Sequence, residues 1–174
     1  FMVKRVTLNR FYYMLPVVCW LFFGCNKQES LFSSLPASST NIDFVNKLEK
    51  HKGLSILYYL YYYNGGGVST GDINNDGLPD VYFTANNKGG NKLYLNKGNF
   101  VFEDITGKAG VAGTADWCTG TVMADVNGDG LLDIYVSTVS NKYGLKGHNE
   151  LFINNGNATF TERSKEFGLD LSCF

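Results

Sequence analysis

From Gly67 to the C-terminus, short runs of apolar and β-branched residues alternate with clusters of Gly, Asn and Asp. Runs this short, bounded by turn formers, predict strands rather than helices. In the first stretch they fall at 67–73, 80–84, 92–95 and 100–105. The pattern then repeats. Gly67–Phe83 (GVSTGDINNDGLPDVYF) matches Gly120–Val136 (GTVMADVNGDGLLDIYV) at an offset of 53. Asn91–Asn99 (NKLYLNKGN) matches Asn149–Asn157 (NELFINNGN) at an offset of 58, which places the extra residues in a loop at Asn141–His148. Lys97-Gly98-Asn99 and Asn155-Gly156-Asn157 read as tight turns between the last two strands of each unit. Four strands per unit of this length is the size of one propeller blade. The predicted fold class is therefore all-β, β-propeller blades of four antiparallel strands. Two repeats make an incomplete propeller fragment, since a closed ring takes at least about four blades. A solenoid or an array of independent hairpins is the alternative.

Residues 41–66 lie outside the repeat. Their run from Leu54 to Tyr63 holds five tyrosines, which favour a pleated surface, so an extended segment that packs on the first blade or closes the ring is expected. Further upstream, Lys4, Arg5 and Arg10 precede an apolar run from Phe11 to Gly24. That is a secretory signal pattern, shorter than the ~20 residues of a spanning helix. Gly24 before Cys25 resembles the lipobox of bacterial lipoproteins, although Phe22 and Phe23 depart from its stricter form. Asn26–Thr40 is polar and serine-rich, a tether. The expected organisation is 1–24 signal peptide, 25–40 tether behind a lipidated Cys25, 41–66 pre-blade segment, 67–111 first repeat and 112–174 second repeat.

Composition sharpens this. Twenty glycines, 11 tyrosines and 13 phenylalanines suit strands and turns, and a net charge of −1 offers no footprint for nucleic acid. The four cysteines, at 19, 25, 118 and 173, lack zinc-site spacing. A Cys118–Cys173 disulfide remains an option in an oxidising compartment.

The chemistry sits in D-x-N-x-D-G-x-x-D, present twice: Asp72, Asn74, Asp76, Gly77, Asp80 and Asp125, Asn127, Asp129, Gly130, Asp133. Oxygens at positions 1, 3 and 5 of a tight loop can converge on one hard cation, and glycine at position 6 permits the bend. The carbonyls of Leu78 and Leu131 and the carboxylate at position 9 complete the expected cage. Crowded carboxylates repel each other by on the order of 1–4 kcal/mol per pair, a penalty that Ca²⁺ removes. Two Ca²⁺ sites are expected. They are not EF-hands, because position 12 is Phe83 or Val136 rather than a bidentate Glu.

These loops, with Tyr63–Asp72 and with Leu93–Asn99 leading to Phe102–Thr106, resemble FG-GAP/VCBS repeats. Such repeats occur in integrin α-subunit propellers and, more closely, in the bacterial ASPIC/UnbV (CRTAC-like) group. The resemblance runs from about Asp43 to Leu169. It implies Ca²⁺ bound within the blades of a roughly seven-bladed ring. A lipoprotein signal ahead of such repeats is similar to that of bacterial surface lipoproteins, so an exported envelope location, outer-membrane, periplasmic or surface-exposed, is expected. A membrane contact through the lipid anchor goes with it.

No catalytic residue stands out. His51 and His148 are the only bases suited to neutral pH, and both read as solvated loop residues. The expected function is a binding or scaffold module for a protein or glycan ligand, with no enzymatic role. Tyr61–Tyr63, Trp117 and Tyr143 are candidates for sugar stacking, or else core. A propeller enzyme acting on extracellular polysaccharide and a purely structural envelope protein are the competing readings.

Overall fold

The computed structural model describes residues 30–48, 50 and 53–172. The chain divides into two compact units, 1–34 and 35–174. Of the first unit only residues 30–34 are described, and they carry no helix or strand. The signal peptide, the Cys25 lipidation site, His51 and Cys173, hence also the Cys118–Cys173 pairing, lie outside the described residues. Among those described, no helix is long and apolar enough to cross a membrane.

The second unit is all-β. Its strands are β1 (Val68–Gly71), β2 (Asp80–Phe83), β3 (Lys92–Asn96), β4 (Phe102–Asp104), β5 (Cys118–Ala124), β6 (Asp133–Thr138), β7 (Glu150–Asn154) and β8 (Phe160–Glu162). They form two antiparallel four-stranded meanders, β1-β2-β3-β4 and β5-β6-β7-β8, the architecture of two successive propeller blades. Neither sheet closes on itself. Two single-turn helices flank them, α1 (Ala37–Thr40) and α2 (Thr106–Ala109).

The fourth strand of the first unit starts at Phe102, two residues later than the apolar pattern suggests. Gly98, Asn99 and Phe100 all take left-handed φ values (85°, 53° and 59°), so the turn is wider than a two-residue hairpin. It closes through the Lys97 amide donating to the Val101 carbonyl at 2.8 Å, and Asn155 to Thr159 repeats the closure at 3.0 Å.

The main core lies between the two sheets. Ile73, Tyr82, Leu93, Ile105 and Val111 from the first repeat and its exit meet Cys118, Ile134, Val136 and Phe152 from the second. Tyr82 satisfies its buried hydroxyl by donating to the Val111 carbonyl at 2.7 Å. Burial pushes the Cys118 thiol up to about 12, so this cysteine is a small apolar core residue and carries no thiolate at neutral pH.

The inner strands β1 and β5 run close together. The Ser69 and Thr121 hydroxyls are 3.3 Å apart, and the Cys118 amide donates to the Ala85 carbonyl at 3.0 Å. Glycine permits the approach: a Cβ on Gly67 would stand 2.9 Å from the Gly120 Cα, which is backbone and cannot swing aside. On Gly71 the nearest atom would be the Leu132 Cδ1, at 2.6 Å, the end of a mobile side chain. Gly67→Ala is therefore expected to cost about 1–3 kcal/mol in urea unfolding and Gly71→Ala clearly less. Equal costs would mean that the seam is not backbone-limited.

The pre-blade segment splits in two. Residues 41–48 carry no helix or strand and contact the first sheet. Phe44 stacks on Phe83 at 4.8 Å, and Tyr94 donates to Asp43 at 2.8 Å. Residues 54–64 instead coil through turns, with the Tyr62 amide donating to the Tyr59 carbonyl and Asn64 to Tyr61, each at 3.0 Å. A three-residue spacing sets Tyr59 and Tyr62 on one side, where both reach Trp117. That contact outweighs the β preference of an aromatic run that has no strand partner. Leu54, Tyr62, Trp117, Val139 and Leu145 make a second, separate core.

Candidate functional site

One acidic loop joins the first two strands of each sheet, residues 72–79 and 125–132. In the first, Asp72 folds back over its own loop. Its Oδ1 accepts the Asp76 amide at 3.0 Å and its Oδ2 the Gly77 amide at 2.7 Å. Asn74 Oδ1 also takes the Asp76 amide, at 3.3 Å, and Asp76 Oδ1 takes that of Leu78 at 2.9 Å. The second loop repeats the arrangement: Asp125 accepts from Gly128, Asp129 and Gly130 at 2.7, 3.2 and 2.9 Å, and Asp129 from Leu131 at 2.8 Å. Asn127 Oδ1 accepts the Asp129 amide at 3.0 Å, and its Nδ2 donates to Asp129 Oδ2 at 2.8 Å. The chain can turn this tightly because position 6 is left-handed, with φ of 84° at Gly77 and 83° at Gly130. The Gly130 amide above all, with those of Gly128, Asp129 and Asn127, holds the Asp125 carboxyl below the ordinary range against the opposing effect of desolvation.

The ninth aspartate behaves differently. Asp80 and Asp133 are buried while the rest of each loop is largely exposed. Asp80 Oδ2 accepts the Ile73 amide at 3.0 Å and Oδ1 the Asn96 amide at 2.7 Å. Asp133 does the same with Val126 at 3.0 Å and Asn154 at 2.8 Å. Each one buckles the start of its loop to the end of the third strand. Burial raises the Asp80 pKa, the two amides oppose it, and the charges of Asp76 and Asp72 raise it further.

The sequence reading missed the asparagines at the strand ends. Asn96 accepts the Gly98 amide at 2.9 Å and donates to the Pro79 carbonyl at 2.9 Å. Asn154 accepts from Gly156 at 3.0 Å and donates to Leu132 at 3.1 Å and, across to the other sheet, to the Ile73 carbonyl at 2.8 Å. The signal was present as the repeated Asn after LYL and LFI.

As a test of fit to a cation, the donors are carboxylate, amide and carbonyl oxygens, the hard ligands that Ca²⁺ prefers. Positions 1, 3 and 5 are drawn together by shared amides in both loops. At position 9 each aspartate oxygen has already given one lone pair to an amide, so only its remaining lone pairs are available. Among the described residues, no three His, Cys, Asp or Glu side chains stand together as a ready metal site.

Residues 72–136, from the first aspartate of one loop to the strand after the other, match the family model of the FG-GAP-like repeat. That segment, rather than the whole chain, is similar to an FG-GAP-like repeat. Cartilage acidic protein 1 is similar over 73 residues: 40% identical in Mus musculus, and 38% in both Xenopus tropicalis and Homo sapiens. The match takes in 42% of this chain and 11% of each relative, so the chain covers about a tenth of their length.

Proposed function

We propose that this chain is a calcium-stabilised binding or scaffold module, part of an extracytoplasmic propeller on a bacterial lipoprotein of the ASPIC/UnbV type, with no enzymatic role. One observation carries the reading: the two acidic loops adopt the same amide-wrapped geometry at equivalent places in the two sheets, within a segment that matches the FG-GAP-like repeat. An ordinary turn has no reason to keep three oxygen donors so placed twice. Ca²⁺ bound there would be a staple between neighbouring strands, with Asp72, Asn74 and Asp76, or Asp125, Asn127 and Asp129, as the main side-chain donors. The Leu78 and Leu131 carbonyls and the free lone pairs of Asp80 and Asp133 would contribute the rest.

Propeller membership has separate support. Ile73 is 1% exposed because the second sheet covers it, whereas its counterpart Val126 is 41% exposed. The second sheet thus presents to solvent the face that the first presents to the second. Recognition of a protein or glycan is supported by an exposed aromatic ledge. Tyr58, Leu60, Tyr61, Lys142 and Tyr143 line a shallow cavity of about 350 Å³ there, and the Asn141–His148 loop forms part of its rim. The basic-then-apolar N-terminus ending at Cys25 supports lipid anchoring.

Calcium titration calorimetry on the full chain is expected to find two sites, with Asp72→Asn and Asp125→Asn each removing one. At a Ca²⁺ excess of a hundredfold over its dissociation constant, each site is expected to add about 2.7 kcal/mol, seen as a fall in melting temperature on adding EGTA. A folded chain that takes up no calcium ends the proposal.

A further inference from the structure

Equivalent strand positions in the two sheets carry opposite charges at one place. In the first sheet Lys92, opening β3, donates to Asp104 of β4 at 2.7 Å. The offset of 58 puts Glu150, opening β7, in the place of the lysine, and Glu162 of β8 in the place of the aspartate. The second sheet keeps the anion and exchanges the cation for another anion.

Glu150 is 1% exposed. Its Oε1 accepts both the amide and the hydroxyl of Thr114, each at 2.7 Å. Its Oε2 is buried too, and accepts nothing among the described residues. Beside it opens a cavity of about 440 Å³ whose walls include Gly113, Thr114, His148, Phe152 and Glu162. Gly113 of the linker leaves room here: a Cβ on it would stand 2.5 Å from Asn91 Nδ2, a second buried polar atom without a partner among the described residues, and 3.0 Å from Glu150 Oε2. At Glu162, which also lines the cavity, burial acts against the carboxylate, but hydrogen bonds from Ser164 and Leu151, and the charge of His148, outweigh it and keep its pKa low. His148, expected from sequence to be a solvated loop residue, is in fact half-buried in this wall.

A buried carboxylate oxygen without a donor is costly, and in the first sheet an ammonium group, that of Lys92, pairs with the aspartate whose place Glu162 takes here. The geometry points to a pocket for an alkylammonium group, supplied by a free amine or by a lysine side chain, with Glu150 Oε2 as its principal acceptor and Glu162 as the second. Ammonium fits better than guanidinium. The planar fork of arginine wants both oxygens of one carboxylate, and Glu150 has only one left. A tetrahedral –NH₃⁺ spreads three donors over separate acceptors. Phe152 and the glycines of the linker provide an apolar wall for the alkyl stem. A metal ion is disfavoured, because no three acidic, His or Cys side chains group together among the described residues.

The test is NMR titration of the full chain with n-butylammonium and, separately, with N-acetyl-lysine N-methylamide, using n-butanol as the uncharged control. Both ammonium probes are expected to shift the Gly113 and Thr114 amides, and the tighter one identifies the source; n-butanol should shift neither. Glu150→Gln is expected to weaken binding at least tenfold. Glu150→Lys, which reproduces the pair of the first sheet, should abolish it. Glu162 is exposed, so Glu162→Gln keeps the fold and should weaken binding severalfold, even if the Glu150 variants do not fold. Binding of n-butanol as strong as that of the amine, an undiminished affinity in Glu162→Gln, or no shift at Gly113 with either ammonium probe overturns the assignment.

Discussion

Asp133→Ala is expected to cost about 3–5 kcal/mol of folding stability, and Asp80→Ala about the same, whether or not calcium is present. Each carboxylate is buried and accepts two backbone amides, Val126 and Asn154 for Asp133, Ile73 and Asn96 for Asp80. Hydrogen bonds to a charged acceptor contribute about 1.5–3 kcal/mol each, and truncation leaves two donors without partners. Asp133→Asn should recover only part of the loss, because its amide nitrogen would face one of the backbone N–H groups. The exposed Asp125 provides the contrast. Asp125→Asn keeps one oxygen for the loop amides, and water can reach the donors it leaves, so in EGTA it should cost far less than Asp133→Ala. Most of its cost should appear only when calcium is added. Urea unfolding of both variants, with and without EGTA, separates a buckle from a ligand. If Asp133→Ala in EGTA is as stable as the parent chain, the ninth aspartate does not hold the blade together.

The distinction between the first and ninth aspartates could not be read from the sequence. Spacing shows that both carboxylates reach the same loop, but not which one the strands bury. Asp80 and Asp133 each open an apolar strand, and the pleat of that strand turns them inward onto amides. The repeat itself was legible because turns need Gly, Asn and Asp at fixed places. Gly77 and Gly130 take the left-handed backbone that their position in the motif requires. The Phe100 turn was not legible, since an aromatic residue at positive φ runs against its usual preference. Nor was Glu150. Its alignment with Lys92 is plain in the repeat, but the cavity beside it depends on Gly113, in a linker outside both strand patterns. The aromatic run at 54–64 shows the same limit from the other side. Five tyrosines announce packing, and only the three-dimensional partner decides which of them pack.

That partner is Trp117, and Trp117→Ala is expected to cost about 3–5 kcal/mol. The indole is 1% exposed, with Tyr62 at 5.5 Å and Tyr59 at 6.1 Å between ring centroids, and Leu54, Val139 and Leu145 around it. Its backbone is pinned, because its carbonyl takes the Val139 amide at 3.0 Å and the next residue's amide bonds Ala85 of the first sheet. The surroundings therefore cannot collapse into the space left by the ring, which is the condition for a large cavity penalty. Tyr61 lies in the same run but is 62% exposed, so Tyr61→Ala should stay within about 0.5 kcal/mol of the parent. A glycan- or protein-binding role for the aromatic ledge would show in Tyr61→Ala as lost affinity at unchanged stability. Trp117→Ala should instead lose stability first, and hydrogen exchange should quicken at the Tyr59 and Tyr62 amides together with Cys118. Faster exchange confined to 54–64, with Cys118 still protected, would show that this second core folds independently of the seam between the sheets.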